Sequence, residues 1–370
     1  MKNLNHLMRA ICLAAGLWGT AGGEALAAAT PQELEVAKAY AKTELNGIDP
    51  SVVDGAAKES ELMVYHLIYP KGLTGVFNAF KKRFPFVEVR SFVASGGPLY
   101  ERFRTEEKAG RSTADVWQHT SSGAADALAK EGLLMNWTPP NEARIPAQWK
   151  RSGSWYPVGL FYVSLAWNDD AVTPEEAQML RNAKSWNLAL DPRWKGRMGL
   201  VHVRAGGTTQ LPYYFYWKEY GEKYLAGLAA NKPLVLDSIV PLAERLATGE
   251  VSIIPLALDT IMANQLAKGV KIRWVYPEPA LAAAYVMAAS AKAPHPNAAK
   301  LFMTWSLSKE GQAAWVEASN LAPVSSDVED RRPFIKEPWF RKPEKHYSYS
   351  WTDIDGSLPQ LFKIYEQAFR

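Results

Sequence analysis

The 370-residue sequence has a single cysteine, Cys12, which lies in the first segment of the chain. Disulfides, cysteine-ligated zinc, iron–sulfur clusters and cysteine nucleophiles are therefore excluded for the remainder. The sequence also lacks G-x-S-x-G, H-E-x-x-H, P-loop and G-x-G-x-x-G motifs, and its six histidines show no metal-ligand spacing. We expect a protein that is not an enzyme and holds neither cofactor nor metal. The competing class is a secreted hydrolase whose catalytic residues are dispersed along the chain.

An excess of charge of one sign is also missing. Lysine and arginine total 42 against 38 acidic residues, a net charge of +4, which is too small to indicate a nucleic-acid partner. The composition, 48% hydrophobic and 22% charged, is typical of a globular protein, and the length favours two domains or lobes.

Long apolar runs are absent after the N-terminus, where about 20 residues would be needed to span a bilayer. Residues 1–27 have the pattern of a signal peptide: Lys2 and Arg9 precede the short apolar stretch Ala10–Gly23, and Ala25–Ala27 fits an A-x-A cleavage site. We expect export to the periplasm as a soluble protein; an uncleaved anchor is the alternative.

Strand and helix patterns alternate through the rest of the chain, after a helical preface at residues 28–56. Buried-strand patterns at Leu62–Leu67, Val87–Phe92 and Asp115–Trp117 are each followed by a helical one, which favours parallel strands joined by crossover helices. Longer apolar strands are expected at Gly159–Asn168 and Ala282–Ala289. No flexible tether separates the two α/β units, so these strands are the expected hinge.

Several short stretches, in order and spacing over residues 56–326, resemble the solute-binding proteins of ABC importers, in the branch with ferric-iron, thiamine, phosphonate and polyamine binders. The stretches are Leu62–His66, Phe80–Pro85, Ala114–Trp117, Glu131–Leu134, Trp194–Arg197, Thr248–Val251, Pro294–Phe302 and Ser308–Gln312. The resemblance implies a two-lobed α/β periplasmic-binding-protein fold, each lobe a mainly parallel sheet with flanking helices. It further implies a monomer that closes over a small solute and delivers it to a membrane permease.

The resemblance also implies lobe boundaries. Residues 57–160 with the return segment 283–325 would form lobe 1, and residues 161–282 with the C-terminal segment 326–370 would form lobe 2.

Ferric-iron members of this branch use an adjacent tyrosine pair from the second lobe. In this sequence, the positions that match the tyrosine pair read Asp259-Thr260 or Ile261-Met262. The positions that match the iron ligands from the first lobe read Tyr69 and Thr120. We therefore expect that iron is not the ligand, although an iron or polyamine binder remains the alternative within the family. The pair Tyr213-Tyr214 is expected to pack rather than to bind.

Arg204 and the small, hydroxyl-bearing residues after it, through Thr209, are the most informative segment. Glycines allow close backbone approach, threonines supply hydroxyls at a helix start, and arginine matches carboxylate or phosphonate oxygens, so a small organic anion is the expected solute. A solvated arginine on a turn, and a helix-starting aspartate at Asp259, are the structural alternatives. The candidate ligand-binding residues are His66, Tyr69, Ser95, Gly96, His119, Thr120, Ser121, Arg204, Thr208, Thr209, Asp259 and Tyr276.

Overall fold

The structure is a computed structural model that describes residues 29–67, 70–347 and 349–370. The predicted signal peptide and Tyr69 lie outside these residues. The strands of the described part are β1 Glu61–His66, β2 Glu88–Val93, β3 Val116–His119, β4 Tyr156–Asn168, β5 Gly199–Val201, β6 Leu234–Leu236, β7 Ile253–Leu258, β8 Ile272–Val275 and β9 Leu281–Ala289.

Helices flank these strands. They are α1 Pro31–Glu44, α2 Pro50–Glu59, α3 Pro70–Arg83, α4 Gly96–Lys108, α5 Ser122–Lys130, α6 Pro174–Arg181, α7 Gly207–Tyr220, α8 Glu222–Ala230, α9 Ile239–Ala247, α10 Asp259–Leu266, α11 Pro296–Leu307, α12 Lys309–Ser319 and α13 Trp351–Ala368. A capping box opens α1: the Thr30 hydroxyl accepts from the Glu33 amide, and the Glu33 carboxylate accepts from the Thr30 amide.

Lobe 1 is built on β1, β2 and β3, which pair in parallel as the sequence predicts. The preface helices pack on this lobe: Glu59, the last residue of α2, accepts from the Asn297 and Ala298 amides at the start of α11. Tyr40 of α1 donates to Glu310 of α12 across 3.0 Å.

Two long strands, β4 and β9, run through both lobes and are buried along their whole lengths. β9 pairs with β3 on one edge at its lobe-1 end and with β4 on its other edge from Leu281 to Met287, and the distal part of β4 pairs with β7 and β8. These pairings are antiparallel, whereas β5 and β6 of lobe 2 pair in parallel. The predicted two-lobed α/β fold with crossing strands is confirmed.

The chain after residue 325 extends along lobe 2 and ends in α13. Phe334 and Trp339 pack edge-on against Trp274 of β8, with ring centroids 4.8 and 4.6 Å apart. No helix in the described residues is both long enough and apolar enough to cross a membrane.

Candidate functional site at the edge between the lobes

The carboxyl ends of β1, β2 and β3 meet at one edge of lobe 1, because parallel strands point the same way. His66 and His119 end β1 and β3, and α4 and α5 begin just beyond β2 and β3. The sequence-predicted first-lobe residues therefore do share an edge. Thr120, which follows β3, is partly exposed there.

The buried His119 side chain connects the residues at the starts of α4 and α5. Its ring is 4% exposed and stacks on Trp117 at 4.9 Å. Nδ1 accepts from the Ser121 amide at 3.0 Å, so Nε2 carries the proton and faces the Gly96 carbonyl at 3.3 Å. Burial lowers the pKa of His119 to about 4, which leaves the ring neutral at neutral pH. Both ring nitrogens are thus engaged within lobe 1.

The hydroxyls predicted to meet a ligand differ in how they are used. Ser121 is the N-cap of α5, and its hydroxyl accepts from the Ala124 amide at 3.1 Å. Ser95 precedes α4 without capping it through its side chain, so the Gly96 and Gly97 amides in the first turn have no side-chain partner from Ser95.

A second polar group of lobe 1 is Gln118, which is not among the residues predicted from the sequence. It lies in β3 opposite Met287 and is completely buried, and neither atom of its side-chain amide has a hydrogen-bond partner among the described residues. His66 of the neighbouring strand is also buried, and the Tyr285 hydroxyl accepts from the Leu67 amide at 3.0 Å. The sequence feature that could have revealed Gln118 is a single glutamine within an otherwise apolar strand.

On lobe 2, Arg204 lies in a short turn that leads into α7. Gly206 precedes α7 with φ 128°, a conformation that favours glycine, and it has no side chain with which to cap the helix. Thr208 and Thr209 lie in the first turn of α7 and are partly exposed. This helix start has no side-chain cap, and the Thr209 amide donates to the Gly206 carbonyl at 3.0 Å.

The Arg204 guanidinium is directed at α13. It pairs with the Glu366 carboxylate, lies 4.1 Å from the centre of the Phe362 ring, and is half exposed. The sequence around Arg204 does not indicate either partner, because both belong to the C-terminal helix. The sequence allowed Arg204 to be a solvated arginine on a turn. In the structure it is instead paired with a residue of its own chain.

Asp259 and Tyr276 point into lobe 2. Asp259 is fully buried and accepts from the Tyr162 and Thr260 amides, the Tyr276 hydroxyl and the Arg332 guanidinium. Burial raises the pKa of Asp259, against the attraction of the Arg332 charge. Both carboxylate oxygens are engaged inside the lobe.

The structure does not bring Arg204 next to the first-lobe residues. Asp355 of α13 lies against Gly123 in the first turn of α5, and Glu366 of the same helix pairs with Arg204. Eleven residues separate Asp355 from Glu366, which is about 16 Å along the helix axis. The two halves of the predicted site therefore lie at opposite ends of α13.

The tyrosine pair packs, as expected. Tyr213 is fully buried and donates to the Val201 carbonyl at 2.9 Å, and Tyr214 is nearly buried. Among the described residues no three histidine, cysteine, aspartate or glutamate side chains are grouped so that they could hold a metal ion.

Solved structures with this architecture are numerous. Iron-bound HitA from Pseudomonas aeruginosa has a TM-score of 0.69 at 22% identity, covering 83% of this chain and 99% of that chain. AfuA from Actinobacillus pleuropneumoniae, with fructose-6-phosphate bound, has a TM-score of 0.69 at 19% identity, covering 84% and 98%. The substrate-binding protein of an ABC transporter from Agrobacterium tumefaciens has 0.72 at 17%, covering 86% and 97%. These likenesses establish the fold.

The family rests on sequence. No curated protein sequence matches the chain. The sequence model for bacterial extracellular solute-binding proteins, however, matches residues 112–348, which is more than half of the chain. The protein therefore belongs to the bacterial extracellular solute-binding proteins, and its task is to bind a solute rather than to transform one.

Proposed function

We propose that the protein is the periplasmic solute-binding component of an ABC importer, and that it captures a small organic anion, a carboxylate or phosphonate, for delivery to the permease. Membership of an extracellular family places it in the periplasm or outside the cell. We further propose that it acts as a monomer.

The observation that supports an anion is the start of α7. Its first-turn amides lack a side-chain cap, and Arg204 stands immediately before it with two threonine hydroxyls immediately after. The Thr209 amide donates to the Gly206 carbonyl at 3.0 Å, so the Gly207 and Thr208 amides would have to meet the anion. Amides without a side-chain cap, the positive end of the helix dipole and a guanidinium all favour negative charge. The carboxylate that Arg204 holds in this structure is the chain's own Glu366, so its geometry suits a carboxylate partner.

A solute can exchange with Glu366 at little cost. The Arg204 and Glu366 side chains are 50% and 54% exposed, and exposed ion pairs contribute about 0–1 kcal/mol. The proposed anion site comprises Arg204, Thr208, Thr209 and the α7 amides. The open amides near Ser95 and Gly96, with Thr120 and His66, would contact the same solute only after rotation about β4 and β9 shortens the separation between the lobes.

Likenesses to other binders do not change this choice. AfuA carries a sugar phosphate, which is an anion, and HitA carries iron, but both are below 25% identical to this chain. A ferric-iron site needs hard anionic ligands in a cluster, and among the described residues no three histidine, cysteine, aspartate or glutamate side chains form one.

Thermal-shift screening tests the proposal with carboxylates, phosphonates, sugar phosphates, ferric salts, polyamines and neutral sugars, followed by calorimetry on the best hit. Native mass spectrometry of protein from its host would identify a co-purifying solute. Arg204→Ala should weaken binding of the anion about tenfold to a hundredfold, since a charged hydrogen bond contributes about 1.5–3 kcal/mol.

Arg245→Ala is the matched control, because Arg245 pairs with Glu250 on the surface of lobe 2 at similar exposure. It should leave the affinity unchanged. A cationic or neutral solute as the sole tight ligand, or normal anion binding by Arg204→Ala, would contradict the proposal.

A further inference from the structure

The C-terminal helix α13 begins just beyond the family match, which ends at residue 348, and it contacts both lobes. Ser350 caps it by accepting from the Asp353 amide at 3.3 Å.

The second half of α13 is anchored on lobe 2. Leu361 is fully buried, Ile364 is 5% exposed and Tyr365 is 2% exposed. The Tyr365 ring packs edge-on against His202 at 4.9 Å and Tyr213 at 5.3 Å. Several buried apolar side chains hold this half, and the exposed pair with Arg204 adds little.

The first half of α13 contacts lobe 1 at Gly123, in the first turn of α5. A Cβ atom at residue 123 would lie 2.9 Å from the Trp351 Cβ and 3.3 Å from the Asp355 Cγ, so glycine is required for this approach. Here the Asp355 carboxylate also meets the like charge of Asp126. Trp351 and Ile354 of this half are themselves buried, at 7% and 0% exposed. The contact of α13 with lobe 1 is made mainly with α5, whereas on lobe 2 the helix packs on both α7 and α8.

The segment before α13 is tied to the crossing strand β9. Tyr349 donates its hydroxyl proton to the Ala282 carbonyl at 2.7 Å, and the Tyr347 amide donates to the Ala280 carbonyl at 2.9 Å. The helix is therefore held near the strands about which the lobes would rotate, and it reaches from there to both lobes.

We propose that α13 is a strap carried by lobe 2, and that its first half clasps Gly123 of lobe 1, so that the lobes rotate relative to each other, whether to open or to close over a solute, only when this clasp separates. The buried second half remains on lobe 2 throughout. Because α13 makes these contacts in the ligand-free protein, this proposal does not depend on which solute the protein binds.

Gly123→Ala tests the clasp, because the three atoms nearest to a Cβ at this position all belong to α13. Hydrogen exchange should become faster in residues 351–357 and in the first turn of α5 by about tenfold or more, while residues 361–368 stay protected. Small-angle scattering should show a larger radius of gyration. Gly356→Ala is the control, because a Cβ there meets nothing within 4 Å, and it should neither speed exchange nor enlarge the radius of gyration.

A second variant keeps the test decisive if Gly123→Ala folds poorly. Gly123→Cys with Asp355→Cys, in a Cys12→Ser background, should form a disulfide that fixes the clasp. The oxidised form should show slow exchange at residues 351–357 and a compact profile, and reduction should reverse both. Equal behaviour of the oxidised and reduced forms, or faster exchange along the whole of α13, would overturn the proposal.

Discussion

Arg332 donates from its guanidinium to the Asp259 carboxylate across 3.1 Å, and both side chains are buried. Arg332 also bonds Asp330 through two nitrogens. This pair fastens the C-terminal segment to the start of α10, 73 residues away in the chain.

Arg332→Met should destabilise the protein by about 3–5 kcal/mol, because it leaves the Asp259 carboxylate buried without its counter-charge. Urea unfolding measures this. Arg331→Met is the control: the neighbouring side chain is 60% exposed, and its loss should matter by no more than about 0.5 kcal/mol. Equal urea midpoints for the two variants would show that the buried pair is not needed.

His119 should make stability depend on pH. Its folded pKa of about 4 lies below the ordinary 6.5, so the unfolded chain binds the proton more readily and stability falls as pH drops from about 6.5 to 4. Between pH 7.5 and 4.5 this loss should be about 2–3 kcal/mol. Urea unfolding of wild type and His119→Gln at both pH values isolates the contribution of His119 to this loss of stability, since other groups titrate equally in the two proteins. An identical pH dependence would exclude this histidine as the cause.

Gly311→Ala should be strongly destabilising. A Cβ at this position in α12 would lie 2.7 Å from the Ser306 Cα, which is backbone and cannot turn aside. Overpacking of this kind costs about 1–3 kcal/mol or more. Thermal unfolding should show a lower midpoint than wild type, whereas Gly356→Ala should be neutral or stabilising by up to about 1 kcal/mol. Tolerance of alanine at residue 311 would mean that α11 and α12 are less closely packed than described.

Two substitutions in α13 compare how much a buried side chain and an exposed ion pair contribute to the free energy of unfolding. Leu361→Ala removes a fully buried side chain and should cost about 2–5 kcal/mol. Glu366→Gln removes only an exposed charge and should cost about 1 kcal/mol or less. Urea unfolding of both variants checks the order; a larger loss for Glu366→Gln would mean that the pair with Arg204, not burial, holds the helix.

Much of the fold could be predicted because burial leaves a local pattern. The apolar runs of β1, β4 and β9 and the capping box of α1 are visible within a few residues of sequence, and each element formed where its pattern predicts. The three-residue β6 was missed, since it is too short for a period to show. In α13, Ile354, Leu358, Leu361 and Tyr365 do have helical spacing, but spacing alone does not say what the helix packs against.

The sequence by itself determined the order of elements, the two-lobed fold and the family, because these follow from periodicity and from motifs that are contiguous in the chain. Only the tertiary structure decided how the polar candidates are used. Arg204 meets Glu366, Asp259 meets Arg332, and His119 meets Gly96 and Ser121. Three of these four partners lie more than 20 residues away in the sequence. A charged or polar side chain is free or engaged according to what folding brings within about 3 Å of it, and no local pattern records that distance.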